Sequence, residues 1–145
     1  MPNKKSKHYI HREIEKNLKE ISSQFPAIAL TGPRQSGKST LLKSLFGKTH
    51  NIISFDDPLI RQKAMSDPRL FLENASEPVI FDEIQYVPDL LPYIKIVIDE
   101  KRAKRGRFIM TGSQQFNLIK NIGDTLAGRI GLLSLLPFSF KEKSP

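Results

Sequence analysis

The chain has 145 residues, 39% of them hydrophobic and 26% charged, and it contains no cysteine. That length suits one domain around a single apolar core. The absence of cysteine excludes a disulfide framework or a thiolate metal site and fits a reducing cytoplasm. An excess of 23 Lys and Arg over 15 Asp and Glu gives a net charge of +8, which favours anionic partners. The first residues, Met1 to His11, are polar and basic, unlike a secretory leader. The longest apolar stretch, Leu132 to Phe140, is broken by Ser134, Pro137 and Ser139, and falls far short of the roughly 20 residues that cross a bilayer.

In chain order, residues 1–8 read as a disordered basic lead, with the domain proper expected over 9–145. Ile10, Ile14, Leu18, Ile21 and Phe25 recur at helical spacing, so a helix is expected from Tyr9 to Phe25, closed by Pro26. Ala27 to Thr31 predicts a buried strand, followed by a glycine loop and a helix through Leu41, Leu42, Leu45 and Phe46 with Gly47 as its C-cap. A second strand is expected at Asn51 to Phe55. Asp57-Pro58 and Asp67-Pro68 each read as an N-cap before a first-turn proline, predicting two short helices. Pro78 to Phe81 predicts a third strand, 89–103 a helix, and Arg107 to Met110 a fourth strand. A short helix over about 115–122 and a fifth strand from Ile130 to Leu136 complete the pattern. Strands alternating with helices predict an α/β domain with a parallel sheet covered on both faces, its ligands at the carboxyl ends of the strands.

The residues that carry chemistry fall at those ends. Gly32-Pro33-Arg34-Gln35-Ser36-Gly37-Lys38-Ser39, followed by Thr40, matches the phosphate-loop pattern G-x-x-x-x-G-K-[ST] without mismatch, between an apolar strand and an amphipathic helix. Glycines let backbone N–H groups curl around phosphates, Lys38 supplies a point charge to the β- and γ-phosphates, and Ser39 offers a hydroxyl to Mg²⁺. Val79 to Phe81 then runs into Asp82 and Glu83. Two acids at the tip of a buried strand suit a cation held by Asp82 and a water activated by Glu83. The built-in glutamate argues against a small-molecule phosphotransferase.

Phe108 to Met110 leads into Thr111-Gly112-Ser113. That strand is expected between the first and third, pointing Thr111 or Ser113 at the γ-phosphate, although Ser113 equally suits a helix N-cap. Arg129, just before the fifth strand, could stabilise charge on a transferring phosphoryl group or be an ordinary surface residue. Lys101, Arg102, Lys104, Arg105 and Arg107 form a basic segment. It supports a second reading, a non-hydrolysing, nucleotide-gated module that binds DNA or another acidic partner, against the simpler one of cations at a helix C-terminus.

Leu30 to Leu42, Phe55-Asp-Asp-Pro58, Phe81-Asp-Glu-Ile-Gln85, Met110-Thr-Gly-Ser113, Leu126-Ala-Gly-Arg129 and Leu136-Pro-Phe-Ser-Phe140 together resemble one family over about residues 10–142. It is the bacterial and archaeal AAA+ ATPases whose phosphate-loop domain precedes a C-terminal domain of uncharacterised function. The resemblance implies a P-loop NTPase core of the ASCE type, a three-layer sandwich with a five-stranded parallel sheet in strand order 5-1-4-3-2. It also implies ATP as the nucleotide, Ser113 as a sensor and Arg129 as an arginine finger. With the motif reading, the first expectation is an ATPase that binds ATP with Mg²⁺ and uses hydrolysis as a conformational switch, and a finger acting in trans would imply a homo-oligomer. Such proteins continue beyond the Pro-Phe-Ser-Phe stretch, so this chain is expected to hold the ATPase core without the helical lid and C-terminal domain.

Overall fold

The computed structural model describes residues 3–33, 36–113 and 116–135. Five strands, β1 (Ala27–Thr31), β2 (Asn51–Ser54), β3 (Val79–Asp82), β4 (Phe108–Gly112) and β5 (Ile130–Ser134), form a parallel sheet in the order β2-β3-β4-β1-β5. This is the expected order seen from the other edge, with β4 between β1 and β3. The helices among the described residues are α1 (Asn3–Gln24), α2 (Lys38–Phe46), α3 (Pro58–Ser66), α4 (Pro68–Asn74), α5 (Leu91–Glu100) and α6 (Phe116–Thr125). No helix among the described residues is long and apolar enough to cross a membrane.

Alternation along the strands sorts the core into two layers. Ile28, Leu30, Ile80 and Ile109 pack on one face with Leu18 of α1 and Leu41, Leu42 and Phe46 of α2. Ala27, Ala29, Phe81, Phe108 and Met110 pack on the other with Ala64 of α3, Leu72 of α4, Ile94 and Ile98 of α5, and Leu118 and Ile122 of α6. The central strands β1 and β4 are buried along their whole length, as a sheet covered on both faces requires.

The two Asp-Pro starts are as expected. The Asp57 carboxylate accepts from the Leu59 N–H at 2.9 Å and that of Asp67 from the Leu70 N–H at 3.1 Å, opening α3 and α4. Gly47 does follow α2 but stays right-handed, at φ −63°.

Several boundaries differ. The lead expected to be disordered over 1–8 is helical from Asn3, because α1 runs back through it. The helix expected over 89–103 is shorter at both ends. Two 3-10 turns, Ile84–Tyr86 and Pro88–Leu90, occupy the chain before it. Its end is set by the Arg107 guanidinium, which takes the carbonyls of Val97, Ile98 and Lys101 at 3.2–3.3 Å. β5 ends at Ser134, although the Leu135 N–H still reaches the Thr31 carbonyl at 2.7 Å. The expected strand end at Leu136 and the 137–140 stretch lie outside the described residues.

Candidate functional site

All five strands run the same way, so their carboxyl ends share one side of the sheet. There β1 enters the 32–37 loop, β2 ends at Ser54, β3 at Asp82 and β4 at Gly112. Gly37, immediately before α2, takes φ +87°, the left-handed region that side-chain-bearing residues avoid. Gly32 answers to space rather than angle: a Cβ there would drive into the Leu135 carbonyl oxygen. Because α2 begins at Lys38, the unpaired N–H groups and positive dipole end of its first turn face this loop.

Lys38 is only 6% exposed. Its Nζ donates to the carbonyls of Gly32 at 2.8 Å and Pro33 at 2.9 Å and lies 3.4 Å from Ser36 Oγ, so the ammonium sits across the loop that it closes. Burial pushes its pKa below the ordinary lysine range, and the nearby carboxylates of Glu83 and Asp82 oppose that shift. Ser36, Gly37, Lys38, Ser39, Thr40 and Glu83 line a depression of about 180 Å³. Arg34 and Gln35 lie outside the described residues.

Three hydroxyls converge on Asp82. Ser39 Oγ donates to Oδ1 at 2.7 Å, Thr111 Oγ1 donates to the same oxygen at 2.6 Å, and Ser54 Oγ donates to Oδ2 at 3.4 Å. Thr111 also accepts from the Glu83 N–H at 3.0 Å, which ties the tip of β3 to that of β4. Glu83 itself adopts φ 61°, ψ 53°, a left-handed conformation held in place by these contacts. Its carboxylate accepts a hydrogen bond from the Gln85 side-chain amide.

Of the two hydroxyls expected at the tip of β4, Thr111 is the one in the Asp82 network. Ser113 Oγ is buried and has no hydrogen-bond partner among the described residues. Sequence reasoning missed Ser54 and Gln85. Ser54 offered no signal beyond its place at the end of β2, whereas Gln85 stands in the Phe81-Asp-Glu-Ile-Gln85 run beside the acids.

Arg129 does not join this cluster. It precedes β5, at the amino ends of the strands, where its Nε and Nη2 donate to Asp99 at 2.7 and 3.0 Å and its backbone carbonyl pairs with the Ala27 N–H. The pairing holds the Asp99 carboxyl below its usual range and raises the Arg129 guanidinium. Arg107 corrects the expectation of five available cations: it is 5% exposed and bound to Glu77, with Nε–Oε1 at 2.6 Å and Nη2–Oε2 at 3.2 Å. Lys101, Arg102, Lys104 and Arg105 remain exposed at the same end.

Known proteins with similar sequences include uncharacterized proteins of Mycobacterium tuberculosis and Mycobacterium bovis, each 34% identical over 132 residues. Those matches cover 90% of this chain and 30% of the relative, so the chain spans under a third of their length. ATP-binding cassette sub-family F member 2 of Bos taurus is 33% identical over 107 residues, 72% of this chain and 16% of that protein. Among solved structures, the Walker-type ATPase of Pyrococcus abyssi superposes with a TM-score of 0.58 at 20% identity, over 90% of this chain and 54% of its own. That likeness is one of fold. A family model described as an AAA domain matches residues 24–144. With its parallel sheet, its phosphate loop and the acids at the tip of β3, the chain belongs to the AAA domain family and forms a P-loop ATPase core.

Proposed function

We propose that the domain binds Mg-ATP against the 32–39 loop and hydrolyses its β–γ phosphoanhydride, using the cycle as a conformational switch. The observation that carries this reading is the meeting of Ser39, Thr111 and Asp82 within hydrogen-bond distance while Glu83 lines the same depression as Lys38. The loop N–H groups and Lys38 would bind the phosphates, exchanging the carbonyls that Lys38 now contacts for phosphate oxygens. Ser39 and Asp82 would hold Mg²⁺. Their hydroxyl and carboxylate oxygens suit a hard cation. When bound, the ion supplies charge neutralisation on the phosphate oxygens. Glu83, whose backbone is fixed by Thr111, would accept the proton of the attacking water.

The test compares ATP binding and steady-state turnover for wild type, Lys38→Ala and Glu83→Gln. Lys38→Ala is expected to abolish measurable binding. Glu83→Gln is expected to bind within about threefold of wild type yet turn over about 10²- to 10⁴-fold more slowly, the range for loss of a positioned base. A Glu83→Gln protein as fast as wild type would remove Glu83 from this role, and a wild type that binds no ATP would refute the reading as a whole. Arg129, remote from the site of its own chain, can act only on a neighbour's nucleotide. Turnover per chain should then rise with protein concentration in wild type and not in Arg129→Ala, and a concentration-independent wild-type rate refutes the intersubunit finger.

A second reading has its own support. The nearby acids Asp99 and Glu77 are already paired to Arg129 and Arg107, and among the described residues the exposed Lys101, Arg102, Lys104 and Arg105 form no ion pair. Such a surface suits the phosphates of nucleic acid. Four phosphate contacts predict a log–log salt slope of roughly −3 to −4 for duplex DNA. Absence of binding at about 50 mM salt, well below the physiological range where phosphate-contact binding already weakens, excludes it.

A further inference from the structure

Gln85 is bonded to the proposed base, yet the hydrolysis reading above leaves it without a task. Its amide donates through Nε2 to Glu83 Oε2. A carboxylate can only accept, so this contact decides which end of the amide faces Glu83 and sends Oε1 to the other side. There Oε1 is buried with no hydrogen-bond partner among the described residues, and a Cβ placed on Gly112 would lie 3.3 Å from it. The residue just after β4 carries a second orphan, Ser113 Oγ, also buried and unpartnered among the described residues. Buried polar atoms are rarely left unpaired in folded proteins, and an unpaired Gln85 Oε1 at the end of the strand whose Thr111 anchors Asp82 and Glu83 points to a molecule that satisfies it.

We propose that Gln85 Oε1 binds the attacking water, alongside Ser113, the sensor that the family resemblance implies, and that Gln85 at the same time holds Glu83 against it. The inference rests on the proposed ATP hydrolysis. Water has two protons and two lone pairs. One proton is donated to the Glu83 carboxylate and the other to Gln85 Oε1, while Ser113 Oγ–H donates to one lone pair. The remaining lone pair is free for the γ-phosphorus. In the step itself the new O–P bond forms as the bond between the γ-phosphorus and the bridging oxygen breaks. The electron pair leaves with ADP, and the water proton passes to Glu83. The glutamine thus does two things that no hydrophobic side chain of the same length can do: it orients the base and fixes the water's second proton away from the phosphate.

The experiment measures kcat for ATP and the dissociation constant of a fluorescent ATP analogue for wild type, Gln85→Met, Gln85→Glu and Ser113→Ala, with unfolding midpoints to confirm folding. Gln85→Met keeps the length and shape, so nucleotide affinity is expected within about twofold while kcat falls about 10- to 100-fold, the range that loss of one hydrogen-bonding group produces. Gln85→Glu keeps the shape but turns the donor into a second carboxylate against Glu83, and is expected to lose turnover as well. Because both groups hold one water, Gln85→Met and Ser113→Ala combined should lose less than the product of their separate effects. A folded Gln85→Met or Gln85→Glu that turns over at the wild-type rate overturns the proposal, as does an effect confined to nucleotide affinity. Those outcomes leave ATP hydrolysis standing. A wild type that binds ATP without turnover removes the hydrolysis reading itself, and this inference with it.

Discussion

Replacing Arg107 by Met tests whether the amino-terminal end of the sheet is held by a buried ion cluster or merely decorated with cations. The substitution keeps most of the side chain's methylene packing, including its place over the Phe108 ring, and removes the bidentate pair with Glu77 and three bonds to carbonyls of α5 and the turn after it. Breaking a buried pair from one side costs about 3–5 kcal/mol. Glu77 is 32% exposed and can regain water, which moves the figure down. The carbonyls of Val97 and Ile98 lose donors where water has little access, which moves it up. The net expectation is about 3 kcal/mol. At an unfolding entropy of about 2.1 cal/mol/K per residue, 145 residues give about 0.3 kcal/mol/K, so the midpoint should fall by about 10 °C. Thermal unfolding followed by circular dichroism, with urea titration beside it, reads both numbers. Lys104→Met, on the exposed neighbour, should stay within about 0.5 kcal/mol of wild type. A drop for Arg107→Met as small as that of Lys104→Met would refute the reasoning, and so would a loss of polyanion binding in a fully stable Arg107→Met protein.

Gly32→Ala places a methyl group against the Leu135 carbonyl oxygen, which is backbone and cannot swing aside. Overpacking of this kind costs about 1–3 kcal/mol, and the loop must shift to relieve it. Isothermal titration should therefore show weakened ATP binding together with a lowered unfolding midpoint; unchanged affinity would mean that the loop geometry is not what binds phosphate. His50 is half-buried, bonded to Thr49 Oγ1 and the Gly106 carbonyl at 2.9 Å each, and burial lowers its pKa against the opposing effect of that carbonyl. The unfolded chain then binds the proton more readily than the folded one, so stability is full above the ordinary value of 6.5 and declines as the pH falls through that value toward the lower folded pKa. Urea midpoints between pH 7.5 and 5 should show a decline that His50→Gln reduces, and an equal decline in both proteins would assign it to other groups.

How much of this was legible in the chain depends on the distance over which each device works. The phosphate loop, its following helix, the two Asp-Pro caps and the acids at the tip of β3 are local: strand, glycine, lysine and hydroxyl follow one another along a single short stretch, Ala27 to Ser39, and backbone geometry carries them wherever they occur. The alternating strand and helix pattern likewise implied a parallel sheet, because a strand apolar on both faces needs helices on each. The roles of single polar side chains were another matter. Thr111 meets Asp82 across 29 positions, Arg107 meets Glu77 across 30, and Arg129 meets Asp99 across 30. Nothing local to Arg107 or Arg129 separates a buried clasp from a free cation, or one end of a sheet from the other.

Thr111 and Ser113 illustrate the same limit at the site itself. Both carry a hydroxyl and stand two residues apart, a spacing that strand alternation would put on one face, but β4 ends at Gly112, so Thr111 lies within the strand and Ser113 just beyond it. Pairing with β3 gave Asp82 to Thr111 and left the Ser113 hydroxyl without a hydrogen-bond partner among the described residues. The sequence by itself determined the phosphate loop and the adjacent acids, and placed them at the carboxyl ends of a parallel sheet. The tertiary structure decided which of several equivalent hydroxyls and guanidinium groups reach it, because a hydrogen bond is satisfied only within about 3 Å and only the packed sheet brings distant residues that close.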